Sequence, residues 1–142
     1  MFKTGKGEKM ITEPNKIKFR KTTAEAGKRA LSTVQKEILD FRNARHWAQF
    51  HDPKNLSEAL SIEASELLEN FLWKTVEQSR NLSAEELKNV KEELADIFIF
   101  MTYLCEEFSI DLLDAVKKKI AINEKKYPVE KAKGSSKKYS KL

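Results

Sequence analysis

Asn55-Leu-Ser-Glu-Ala-Leu-Ser-Ile-Glu63-Ala-Ser-Glu66-Leu-Leu-Glu-Asn-Phe-Leu-Trp73 reads as an amphipathic helix with two acids out of place. At about 100° per residue and with Leu56 set to zero, Leu60 lies at about 40°, Leu67 at about 20°, Phe71 at about 60° and Ala59 at about 300°. Glu63 falls at about 340°, inside that apolar arc, and Glu66 at about 280°, beside Trp73. A helix at a protein surface keeps its acids opposite the apolar stripe, as Glu58 does here.

The next helix repeats the pattern. Ser83-Ala-Glu-Glu86 is a capping box and opens a helix predicted over 84–108. With Val90 at zero, Leu94, Ile97, Met101 and Leu104 form the apolar stripe. Glu93 then lies at about 300°, between Leu104 and Phe100, and Asp96 at about 240°, between Phe100 and Tyr103. Two consecutive helices thus each aim an acid pair, spaced i and i+3, toward the interior or its edge. One such pair is ordinary on a solvated Glu-rich helix; two on apolar sides are not. Clustered carboxylates in a partly dry site repel one another and lose hydration unless protons or a cation compensate. All-oxygen ligation suits Mg²⁺ or Mn²⁺ rather than zinc. A di-iron carboxylate bundle would want Glu-x-x-His on two helices, and neither His46 nor His51 stands in that spacing.

Around these two helices the remaining pattern is also helical. Leu31, Val34, Ile38 and Phe41 recur at three- and four-residue steps, and Pro53 interrupts the helix at Asp52. Asp111 is an N-cap for a fourth helix that stops at Pro128, and the polar stretch 74–82 reads as a loop. The fold class is therefore all-α, a four-helix bundle. Residues 1–27 read as a flexible basic arm with a short helix near 23–30, residues 28–128 as the helical catalytic domain, and 129–142 as a basic tail that composition alone leaves unstructured.

Charge is distributed unevenly over the 142 residues, whose formal net charge is +5. Residues 1–29 hold nine Lys/Arg against three acids and residues 117–142 ten against two, whereas 30–116 hold eight against seventeen. An acidic middle attracts cations and basic ends attract phosphates, and a metal–nucleotide complex supplies both. A nucleic-acid module is disfavoured by that acidic middle, despite the basic total. The single cysteine excludes an internal disulfide or a Cys-rich metal site. No apolar run spans a bilayer and the N-terminus lacks an apolar signal core, so a cytoplasmic protein without membrane contact is expected.

Glu63-x-x-Glu66 followed by Glu93-x-x-Asp96 resembles the signature of the MazG-like, all-α nucleoside triphosphate pyrophosphohydrolases, and within them the dCTP pyrophosphatase branch. The likeness extends over residues 31–142 through Arg45-His-Trp47-Ala-Gln-Phe50-His51, Pro53-Lys-Asn55-Leu56, Glu66-Leu-Leu-Glu69-Asn-Phe71-Leu-Trp73-Lys74, Glu92-Glu93-Leu-Ala-Asp96, Ile122-Asn123, Tyr127-Pro128 and Ser135-Ser136-Lys137-Lys138-Tyr139. It implies an oligomeric helical bundle, a homodimer or homotetramer, in which Glu63, Glu66, Glu93 and Asp96 bind Mg²⁺ or Mn²⁺. It implies that water attacks the α-phosphorus of a deoxynucleoside triphosphate, dCTP or a modified dCTP, and that pyrophosphate leaves. Trp47 and Trp73 match aromatics near the base, and Phe100 occupies a position near it. His51, Lys74, Lys119, Asn123, Lys126, Lys137, Lys138 and Tyr139 are the further substrate-binding candidates. The pattern departs at Ile38 and Phe100, where the animal enzymes have a histidine and a tyrosine. Strict dCTP preference is therefore not implied.

Overall fold

The computed structural model describes residues 24–141, and every regular element among them is helical. The expected arm over 1–27 lies outside the described residues up to 23; from Ala24 the chain is already in helix α1, Ala24–Asn43. A 3₁₀ turn, Trp47–Phe50, leads into α2, Pro53–Glu69. Pro53 sits in the first turn of α2, where its missing N–H costs nothing, and the Asp52 carboxylate accepts from the Asn55 N–H at 3.0 Å.

α2 ends four residues before the Trp73 that periodicity gives as its stop. The Asn70 side-chain amide donates to the Glu66 carbonyl at 3.0 Å, and short turns closed by Phe71 N–H to Leu68 C=O and Leu72 N–H to Glu69 C=O unwind the last residues. The stretch read as a loop contains a short helix, α3, Val76–Arg80, opened by a Thr75/Gln78 capping box. α4, Ala84–Glu107, begins at the Ser83/Glu86 box the sequence shows, and α5, Leu112–Lys126, begins at Asp111. The tail is not featureless: it forms α6, Val129–Ala132, and a 3₁₀ turn, Tyr139–Lys141. Tyr139 returns edge-on to Tyr127 with ring centroids 5.9 Å apart.

α2 packs along α4, and α1 crosses α4 nearer its C-terminal half. Leu56 is fully buried and Tyr103 nearly so. The Tyr103 hydroxyl donates to the Ile38 carbonyl at 3.3 Å, joining α1 to α4. α5 makes only slight contact with the other helices, and its Leu113, Val116 and Ile120 remain exposed. Within one chain, three of the four long helices pack together, and the fourth keeps its apolar stripe in solvent. No described helix is long and apolar enough to cross a membrane.

Candidate functional site

The packing of α2 on α4 brings the two acid pairs face to face. Carboxylate oxygens of Glu63, Glu66 and Glu93 lie within 4.8 Å of one another. Asp96 completes the group electrostatically, since its charge acts on both Glu63 and Glu93. Burial first, and then Asp96, Glu66 and Glu93, push the Glu63 carboxyl above its ordinary value. Glu93 rises for the same reason, with Glu66, Asp96, Glu92 and Glu69 adding to burial. Acids grouped this way on two helices could hold a small hard cation. Oxygens bound about 2.1 Å from such an ion stand at most about 4.2 Å apart. The all-oxygen donor set is compatible with the divalent ion expected from the acid spacing.

The other expected contacts are less concentrated. Trp47 is partly exposed at the N-terminal end of α2, edge-on to Phe41 at 5.9 Å. Phe41 lines a hollow of about 250 Å³ with Val34, Glu37, Ile38, Ile99 and Tyr103. Ile99 places this hollow one helical turn beyond Asp96. Phe100 flanks the Tyr103–His51 pair, 6.1 Å from the Tyr103 ring and 6.4 Å from the imidazole. Trp73 follows the other end of α2, a helix of 17 residues. The two ends of α2 stand about 25 Å apart along its axis, with Trp47 before one and Trp73 after the other.

Lys74 is committed within the chain, its ammonium held by the Glu86 carboxylate. Lys119 and Asn123 are exposed on α5. Lys126 stands 5.1 Å over the Tyr139 ring, and Lys138 flanks the same ring at 5.9 Å. Lys137 is exposed beside them. Lys126, Lys137 and Lys138 thus form one basic cluster at the α5–tail junction.

A buried polar group escaped the sequence reading. Arg42 is buried, with its guanidinium 5.2 Å over Tyr103 and 3.5 Å from Glu107. His51 lies against the same ring at 4.9 Å, its buried Nδ1 without a hydrogen-bond partner. Burial, then the Arg42 charge, keep the imidazole below its ordinary pKa, against a smaller pull from Glu107. The helical wheel could have found Arg42, which falls at about 20° when Leu31 is zero, inside the α1 apolar arc. Nothing local marks Glu107 or Tyr103 as its partners.

Comparison with known proteins identifies the family. The MazG-like family matches residues 59–142, which include all four acids. The dCTP pyrophosphatase 1 of Homo sapiens is 38% identical over 114 residues, covering 79% of this chain and 67% of that protein. The Mus musculus dCTP pyrophosphatase 1 is 36% identical over the same length. A crystal structure of a pyrophosphatase from Archaeoglobus fulgidus superposes with a TM-score of 0.66 at 36% identity, covering 70% of this chain and 93% of that one. Facing acid pairs on packed helices, together with these matches, place the chain in the MazG-like family.

Proposed function

We propose that this protein is a Mg²⁺-dependent pyrophosphohydrolase that converts a nucleoside triphosphate to the monophosphate and pyrophosphate, with dCTP and modified dCTP as first substrates. The observation that supports this most is the meeting of Glu63, Glu66 and Glu93 within 4.8 Å, with Asp96 beside them. These four acids hold the ion. When bound, Mg²⁺ neutralises triphosphate charge and lowers the pKa of the attacking water. The chain's own part is to orient the triphosphate against that centre and to hold the base in the Trp47 side of the hollow, where the indole offers a π-face.

The working enzyme is a homodimer or homotetramer. Exposed Leu113, Val116 and Ile120 support this, because an apolar helix face is covered in a stable particle. The placement of Trp47 and Trp73 beyond opposite ends of α2, a helix about 25 Å long, supports it too: Trp73 meets the base bound by another copy. Closure of α5 in the assembly brings Lys119 and Asn123 toward the nucleotide. The test is a panel of deoxynucleoside and ribonucleoside triphosphates with Mg²⁺, assayed separately for pyrophosphate and orthophosphate. Pyrophosphate in step with monophosphate, abolished by EDTA, is the expected result, whereas orthophosphate release would refute the reaction.

The tail offers a second expected outcome. Lys137, Lys138 and Tyr139 close over the bound triphosphate, with Tyr139 leaving the Tyr127 ring it meets without it. Deleting residues 134–142 is expected to lower kcat/KM at least about tenfold, the worth of one or two charge-assisted hydrogen bonds. Thermal stability without nucleotide stays near wild type. Unchanged kinetics in the truncated enzyme would return the tail to a solvated extension and leave Lys119 and Lys126 as the phosphate contacts.

A further inference from the structure

Trp73 combines two costs that normally exclude each other. Its indole is 93% exposed, so it contributes nothing to this chain's core. Its backbone also sits at φ 64°, a region that a bulky L-residue adopts only under constraint. A strained residue that gains no burial persists only where its neighbours over-determine it. The constraint comes from both sides. On one side, the Asn70 amide grips the Glu66 carbonyl and the Lys74 N–H bonds the Phe71 carbonyl at 3.1 Å, which ties the turn to the metal-binding helix. On the other, the Lys74 ammonium is fastened to Glu86 in the first turn of α4.

Glu86 is well placed as the anchor. One of its oxygens takes the lysine, and the other accepts the Ser83 N–H at 2.7 Å, which fixes the carboxylate in a single orientation. Lysine first, and then the two Ser83 hydrogen bonds, hold the carboxyl down at about 2, so it is ionised at neutral pH. The Lys74 side chain is only 23% exposed, unusual for a lysine on a loop. A lysine held in this way is a structural tie rather than a free phosphate contact.

We infer that Lys74 and Glu86 are positioning residues that lock the turn after α2 so that Trp73 is presented, pre-oriented, as a stacking platform for the nucleobase. This rests on the reading of Trp73 as a base contact. Rigid presentation lowers the entropy lost when the base stacks, so the pair acts on binding equally in ground and transition states. It leaves the metal centre and the chemical step alone.

The variants Lys74→Met and Glu86→Gln separate the roles. Glutamine at the third helical position keeps the capping box and removes the charge. Each variant is expected to raise KM for dCTP at least about fivefold with kcat within about twofold, part of the larger loss that removing a stacked indole gives. The double variant is expected to be no worse than either single one, because one tie is broken in all three. Competitive inhibition by inorganic triphosphate, which has no base, should be unchanged. A rise in that inhibition constant for Lys74→Met alone would mean that Lys74 touches phosphate, and would overturn the proposal. Loss of assembly in either variant, read as mass by light scattering, would replace it with a plain interface role. Wild-type KM in both variants, alongside a raised KM in Trp73→Ala, would refute the positioning role while leaving the base contact intact. Wild-type KM in Trp73→Ala would instead remove the base contact on which the proposal rests.

Discussion

Glu63→Gln, Glu66→Gln, Glu93→Gln and Asp96→Asn are each expected to lose at least about a hundredfold in kcat while the fold survives. A hundredfold is about 2.7 kcal/mol of transition-state stabilisation, a modest share of what a divalent ion gives to phosphoryl transfer. Each change removes a ligand charge with almost no change of shape, so circular dichroism should match wild type. Full activity in any two of the four would sink the assignment. The same variants carry a sign that distinguishes ligands from ordinary surface acids. Glu63 and Glu93 have carboxyls raised above the ordinary 4.5. The metal-free folded protein therefore binds protons more readily than the unfolded chain, and its stability falls as pH rises through that window. Glu63→Gln should raise the metal-free Tm at pH 7, and the gain should vanish below about pH 4.5. Saturating Mg²⁺ reverses the order, because wild type then gains binding energy that the variant lacks.

Light scattering at micromolar concentration is expected to give at least twice the 16.4 kDa mass of one chain. The reason is the stripe Leu113, Val116 and Ile120, which no described helix of the same chain covers. Val116→Glu combined with Ile120→Glu should weaken association at least about a hundredfold, since two unpaired charges would be buried at the contact. Activity should fall with dissociation and recover with protein concentration if, as proposed, Lys119, Asn123 and Trp73 reach a nucleotide only in the assembly. A wild-type monomer with full activity would refute both the interface and the shared site.

What could be read without coordinates was local in origin. Helical periodicity is a property of consecutive residues, so Glu63, Glu66, Glu93 and Asp96 stood out wherever the third and fourth residues around them were apolar. The caps at Asp52, Ser83 and Asp111 were equally legible, because a cap closes within three residues. The resemblance added the family and the reaction proposed for those acids. The end of α2 was misread by the same logic, because apolar spacing continued to Trp73 while the Asn70 side chain had already drawn off the Glu66 carbonyl.

Contacts between distant residues had no such signature. Lys74 meets Glu86 twelve positions away, and Arg42 meets Glu107 sixty-five away. Each pairing depends on how α1, α2 and the loop lie on α4. The wheel shows that two acid pairs face inward but not that they face each other; that depends on the register of α2 on α4, set by which side chains interdigitate. The place of α5 depends on packing in the same way: its amphipathic stripe is plain in the sequence, yet one chain leaves it uncovered. Periodicity says which face of a helix seeks burial. The burial itself is a free energy between surfaces, and it depends on which surfaces meet.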